Sequence, residues 1–174
     1  MSAIVRTRSW RRILVHCIIA SAGLGLGLIS WLIASPMATR IHETIPGERL
    51  TVKATPNLNI SLDTDSMVTV TNTEPPRIEL LRGNAYFDVQ GTESGKLQVK
   101  VGTAYIRDMG TRFSVSMRAD GGTVAVAHGQ VEIEVGTGKY LVGALERADF
   151  NNINVTGQRV ITETDVAPWR LGRR

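Results

Sequence analysis

The stretch from Arg77 to Val89, RIELLRGNAYFDV, constrains this chain more than any other. Ile78 and Leu80 alternate with Glu79 and Leu81, Arg82-Gly83-Asn84 bends the backbone, and Ala85, Phe87 and Val89 then alternate with Tyr86 and Asp88. Successive side chains of a strand point to opposite faces, so a period of two reads as two half-buried strands flanking a corner. Glycine reaches positive φ without a Cβ penalty, which makes Gly83 the corner residue. This is a sheet-building unit.

The remainder of the chain extends that pattern. Its 174 residues, 43% of them hydrophobic, allow one ordinary domain with its own core plus an accessory segment. Seventeen glycines and only three Phe and three Tyr, among abundant Val, Thr and Ile, fit a β-rich fold with many turns. From Gly47 on, strand signals recur about every ten residues. They fall at Leu50 to Lys53, Leu58 to Leu62, Met67 to Thr71, Arg77 to Leu81, Ala85 to Val89 and Leu97 to Val101. The later ones are Ala104 to Arg107, Arg112 to Met117, Val124 to Ala127, Val131 to Val135, Lys139 to Val142 and Arg159 to Thr162. Turn formers separate them, and nothing after Ala34 has a helical period. The expectation is an all-β domain over 47–165, a sandwich or solenoid-like β-roll of short antiparallel hairpins stacked along one axis, with 166–174 as a tail. Leu80, Phe87 and Phe113 fall on its core phase, and Gly83, Gly110 and Gly129 on its turns. These six are fold keystones rather than contacts.

The first 46 residues read differently. Residues 1–12 are short and basic, with Arg6, Arg8, Arg11 and Arg12 and no acid. Ile13 to Ala34, ILVHCIIASAGLGLGLISWLIA, carries no formal charge. As a helix rising about 1.5 Å per residue, it spans roughly 33 Å, enough for a hydrocarbon core of about 30 Å. Trp10 and Trp31 sit near its ends as interfacial anchors would, and the arginines before it place the N-terminus inside. A cleaved signal peptide shares the basic start, but the apolar run exceeds a normal h-region and no A-x-A site follows. The length favours a signal anchor, with 35–46, broken by Pro36, as a linker. Gly23 and Gly27 have the spacing of a packed helix pair. His16 lies close enough to the entry point to reach headgroups. Cys17 is the single cysteine, so the domain beyond must hold by packing without an internal disulfide.

Charge and motifs exclude several function classes. The net charge is +4 and the pI about 9.6. Removing the four N-terminal arginines leaves 16 basic and 16 acidic residues from Arg40 onward, so the surplus belongs to the tip. A nucleic-acid groove needs a basic stripe on the folded domain, and no such cluster occurs in the sequence. The histidines are His16, His42 and His128, and no zinc, nucleophile-elbow or phosphate-loop pattern is present. Asp63-Thr-Asp65-Ser66 opens like a calcium loop but lacks its later Gly and Glu, and reads as a turn. Asp88 and Asp108, isolated among strands, are expected to face solvent or pair with a nearby arginine. No catalyst, metal or cofactor is expected.

Four blocks carry a resemblance. IPGERLTVKATPNLNISLDTDSMVTV, RIELLRGNAYFDVQ, IRDMGTRFSVS and VAVAHGQVEIEV resemble, in order and spacing, the strand blocks of the FecR family periplasmic domain from about Ile45 to about Val142. Leu81-Arg82-Gly83 with Ala85 to Val89, and Gly110-Thr111-Arg112-Phe113 with Val115, are the most specific pieces. Ala167-Pro168-Trp169-Arg170 resembles the segment where that domain hands over to a C-terminal module. The resemblance implies a single-pass inner-membrane regulator with its main domain in the periplasm of a Gram-negative bacterium. Such a protein stands between the signalling domain of a TonB-dependent outer-membrane receptor and a cytoplasmic extracytoplasmic-function sigma factor. Full members also carry an N-terminal cytoplasmic sigma-binding domain and a C-terminal receptor-binding module. Twelve residues before the apolar run cannot bury a core, and the chain stops at Arg174, so the expectation is a reduced form partnering a receptor, a full-length FecR-like protein or a sigma-factor complex. The alternatives are an envelope-structural or glycan-binding β domain, or a non-signalling remnant. The sparse aromatics favour protein contact over glycan contact.

Overall fold

The computed structural model describes residues 38–90 and 97–172. The expected span Ile13 to Ala34, with Arg6, Arg8, Arg11, Arg12 and Trp31, lies outside them. Among the described residues no helix is long and apolar enough to cross a membrane.

Fourteen strands are described: β1 (Thr39–Glu43), β2 (Leu50–Thr55), β3 (Leu58–Leu62), β4 (Met67–Thr71), β5 (Arg77–Arg82), β6 (Asn84–Val89) and β7 (Gln98–Val101) form the first half. The second half is β8 (Ala104–Asp108), β9 (Arg112–Arg118), β10 (Gly121–His128), β11 (Gln130–Val135), β12 (Gly138–Gly143), β13 (Glu146–Asn151) and β14 (Val155–Val160). One helical turn, Glu163–Val166, and one 3-10 turn, Pro168–Leu171, follow.

The strands form two seven-stranded sheets. Sheet A runs β1-β4-β5-β7-β8-β11-β12, and sheet B, read in the same direction, runs β2-β3-β6-β9-β10-β13-β14. Both orders advance with the sequence, so the chain lays hairpins along one axis while switching between sheets. A two-strand visit to the opposite sheet returns the chain reversed, whereas a one-strand visit returns it in the same direction. β6 is the single-strand visit between β5 and β7, which explains why Arg77–Leu80 pair in parallel with Gln98–Val101. The other pairings are antiparallel.

Alternation gives each sheet one inward face. Leu58, Ile60, Leu62, Phe87, Phe113, Val115 and Val124 from sheet B meet Val68, Leu80, Val99, Ile106, Val131 and Ile133 from sheet A in one buried cluster. Fully burying such a side chain contributes about 1.5–3 kcal/mol, so this layer is the main source of stability.

All but the last of the expected strands coincide with observed ones to within a few residues. The differences lie at the sheet edges. Residues 35–46, read as a linker, contain β1, an edge strand with Ile41 65% exposed. Its register with β4, Thr39 opposite Thr71 through Glu43 opposite Met67, supplies what its side chains do not. The final strand is Val155–Val160 rather than Arg159–Thr162, and again almost wholly exposed. β13 was not expected because Ala148 and Phe150 are its only inward residues between Arg147, Asp149 and Asn151. The C-terminal segment is not a free tail, since Val166 and Ala167 are buried.

Candidate interaction surface

Glycines hold three of the crossovers between the sheets. Gly83, Gly110 and Gly129 lie between β5 and β6, β8 and β9, and β10 and β11, with φ of 78°, 94° and 83°. β5 and β6, the two runs of the RIELLRGNAYFDV stretch, therefore lie in opposite sheets. A Cβ on Gly83 would sit 2.3 Å from Ser66 Oγ and 2.6 Å from the Asp65 carbonyl oxygen. Ser66 Oγ accepts the Asn84 N–H at 2.9 Å, and Thr44 Oγ1 accepts the Ser66 N–H at 2.9 Å while donating to the Asp63 carbonyl at 2.6 Å. Asp63 Oδ1 takes Arg49 Nε at 3.0 Å, so the aspartates of this corner serve a turn.

At the other end of β6, a Cβ on Gly129 would lie 2.4 Å from the Gly110 carbonyl oxygen. Asp108, for which solvent was one expectation, is buried and accepts the Thr111 hydroxyl across the Gly110 bend. Leu80, Phe87 and Phe113 are fully buried. The structure thus pairs Phe87 with Phe113 and Gly110 with Gly129, and gathers none of these keystones into a surface site.

The outer face of sheet B is where side chains converge. Cross-strand register aligns Arg159, Arg147, Ala125, Ser114, Tyr86, Ser61 and Thr51 in one outward row across six pairings. Ala125 and Ser114 are small, leaving a trough beside the Tyr86 ring. The segment after β14 lies in that trough as a strap. Val166 and Ala167 bury against Tyr86 and Ala125, with Ala127, Ile161 and Trp169 packed around them. The Ser114 hydroxyl donates to the Val166 carbonyl. The Arg170 guanidinium stacks 3.8 Å from the Tyr86 ring centre, and Arg49 sits 6.0 Å from that of Trp169, both as cation–π pairs. Between strap and sheet lies an open cleft of about 400 Å³ that Tyr86, Ala127, Glu163 and Arg170 help to line. Sequence reading missed this seat, although Pro168-Trp169-Arg170 offered a signal in its lone tryptophan beside a helix stop.

Beyond the strap, Asp149 on β13 gathers three arginines. Arg159 Nη1 lies 2.7 Å from its Oδ2, and Arg118 Nη2 lies 3.3 Å and Arg147 Nε 3.9 Å from its Oδ1. The Thr123 hydroxyl donates to Oδ1 at 2.6 Å. Burial pushes the Asp149 carboxyl up, but the hydrogen bonds from Thr123 and Arg159 and the charges of Arg147 and Arg159 outweigh it and hold the group below the usual carboxylate range.

The outer face of sheet A is, by contrast, an ion-paired ladder. Lys100 meets Glu79 at 2.8 Å, Arg107 meets Glu134 at 2.8 Å, and Lys139 meets Glu132 at 3.4 Å. The hydrogen bond and charge of Glu79 raise the Lys100 ammonium above its ordinary range. Among the described residues, β1 and β12 in sheet A, and β2 and β14 in sheet B, pair on one side only. Among the described residues no group of three or more His, Cys, Asp or Glu is placed to hold a metal.

Residues 40–132 match the FecR protein family. A comparison with curated proteins finds no match. Two crystal structures, each of a candidate anti-sigma factor from Parabacteroides distasonis ATCC 8503, share the fold. One has a TM-score of 0.68 at 21% identity over 78% of this chain and 66% of that one. The other has a TM-score of 0.66 at 19% identity over 76% of this chain and 65% of that one. This chain spans about two thirds of each structure's length. With the family match covering more than half of its residues, from β1 into β11, the chain belongs to the FecR family.

Proposed function

We propose that this protein is a protein-contact module in sigma-factor regulation, not an enzyme. In this reading it is the periplasmic domain of a single-pass inner-membrane regulator that relays the state of a TonB-dependent outer-membrane receptor to an extracytoplasmic-function sigma factor. The family match over residues 40–132 is the observation that carries it. Topology follows from the four arginines before the apolar run Ile13 to Ala34, which favour an N-terminus inside and the β domain outside.

Geometry favours contact over catalysis. Among the described residues, the two groups with displaced proton affinity, Asp149 and Lys100, are held by cross-strand partners on open sheet faces, a structural setting rather than a reactive one. Glycan contact is the weaker alternative, because Tyr86 is buried and Trp169 is half-buried beside Arg49.

In-cell crosslinking of the tagged, membrane-anchored chain, with bound proteins identified by mass spectrometry, tests the reading. Recovery of a TonB-dependent receptor, a full-length FecR-like protein or a sigma-factor complex is expected. Recovery of none by an intact, folded chain overturns it in favour of an envelope-structural role.

A further inference from the structure

We infer that the free edge of β14, with the arginine cluster beside it, receives an extended segment of a partner protein bearing acidic residues at alternate positions. The inference rests on the protein-contact reading above and gives it a place and a chemistry.

Among the described residues, strand β14 pairs with β13 and with nothing on its other side. Five of its six residues are exposed, Val160 to 80%. An open edge of this kind presents unpaired N–H and C=O groups, which is what strand addition uses. Main-chain bonds alone would accept any sequence, so the side chains beside the edge set the preference.

Those side chains are cationic in excess. Arg159 and Arg147 are register partners on the outward face, and Arg118 reaches the same carboxylate from β9. One aspartate among three guanidiniums leaves a local surplus of two positive charges. Arg118 and Arg159 are about half exposed, at 50% and 55%, and each guanidinium carries more donors than Asp149 and the Gly122 carbonyl consume. A strand added to β14 would lie about 4.8 Å away with alternate side chains on the face of Arg159. A carboxylate beside Arg159 would form a bidentate pair, and the remaining surplus on Arg147 and Arg118, further into the sheet, would attract the others at longer range. Of the cations near the sheet A edges, Lys139 faces Glu132 and Glu134, and Arg82 faces Glu43 and Asp65.

The test uses the full chain in detergent micelles and fluorescein-labelled peptides of alternating Val with Glu, Gln or Lys, read by fluorescence anisotropy. The Glu peptide should bind in a salt-sensitive way, with the Gln peptide and the Arg118→Glu/Arg159→Glu variant each giving affinities at least about tenfold weaker. The Lys peptide should prefer that variant over the parent, a compensation that a misfolded protein would not show; Arg159→Gln serves if the double variant melts early. Equal binding of Glu and Gln peptides, or binding of neither to folded parent protein, overturns the inference. So does binding to phosphatidylglycerol vesicles without peptide binding, which would assign the cluster to lipid. A photo-crosslinker at Val160 or at Ile41 then separates the two claims. Receptor or sigma-complex capture at Ile41 and not at Val160 leaves the protein-contact reading standing and removes β14 as its site, while capture at neither removes β14 and leaves the protein-contact reading to the whole-chain crosslinking.

Discussion

The rings of Phe87 and Phe113 stack with centroids 5.0 Å apart and planes 21° from parallel, directly opposite each other on β6 and β9. One ring comes from RIELLRGNAYFDV and the other from IRDMGTRFSVS, so two blocks that mark the family meet at the centre of its core.

Truncating either ring should be among the costlier substitutions in the domain. Phe87→Ala is expected to destabilise by about 3–5 kcal/mol through lost burial and a cavity. Thermal or urea unfolding measures this, and with Phe113→Ala in the same background the two costs should differ from additivity by about 0.5–1.5 kcal/mol, the worth of an aromatic pair. Unchanged melting would place Phe87 outside the core.

Gly83 and Gly47 separate two penalties that usually come together. Both have positive φ, but a Cβ on Gly47 meets nothing within 4 Å, whereas on Gly83 it would collide with Ser66 and the Asp65 carbonyl. Gly47→Ala should cost about 1 kcal/mol for the left-handed backbone. Gly83→Ala should cost well beyond that, because backbone must move. Parallel denaturation curves check the order, and equal costs would contradict the close approach at the corner.

The strap should loosen without unfolding the sheets. Tyr86→Ala removes the surface under Val166 and Ala167 and the partner of Arg170. Hydrogen exchange across 163–171 should then quicken while β7, β8 and β11 keep their protection. Exchange rates in the strap unchanged from the parent would mean that Ser114 and Ala125 suffice to seat it.

Asp149 predicts an acid sensitivity of definite sign. Its carboxyl binds protons less readily in the folded state than unfolded. The stability it contributes is therefore fully present above the unfolded value, near the usual carboxylate pKa of about 3.9, and is lost as pH falls through the lower folded value. Asp149→Asn should be less stable than the parent at neutral pH and show a flatter decline below about pH 4. Unfolding curves at stepped pH report the difference, and parallel declines would show that the arginines do not hold this carboxylate.

Local rules made much of the fold legible. Ile78, Leu80, Ala85, Phe87 and Val89 announce inward faces because burial on one side of a strand imposes a period of two. Gly83, Gly110 and Gly129 announce corners because positive φ is costly for other residues. β1 and β14 left no such mark, since strands with no buried side hold by backbone pairing that any side chain permits. β13 lay between these cases, with two apolar residues among charges that turned out to be a cluster.

The candidate surface was less legible because its members are distant in the sequence. Nothing in Ser114, Ala125 or Tyr86 alone announces a trough, and the arginines at 118, 147 and 159 are unremarkable singly among evenly balanced charges. Cross-strand register brings them together, and register is a relation between segments rather than a property of any one.

By itself, then, the sequence determined that the chain builds sheets, which side of each interior strand faces the core, and where the backbone turns sharply, because burial period and φ preference act within a few residues. Only the tertiary structure decided which strands share a sheet, why β5 and β7 run parallel, how the strap seats on Tyr86, and that three arginines converge on Asp149 beside an open edge. Those outcomes depend on hydrogen-bonded register and packing between segments far apart in the chain, where side-chain periodicity carries no information.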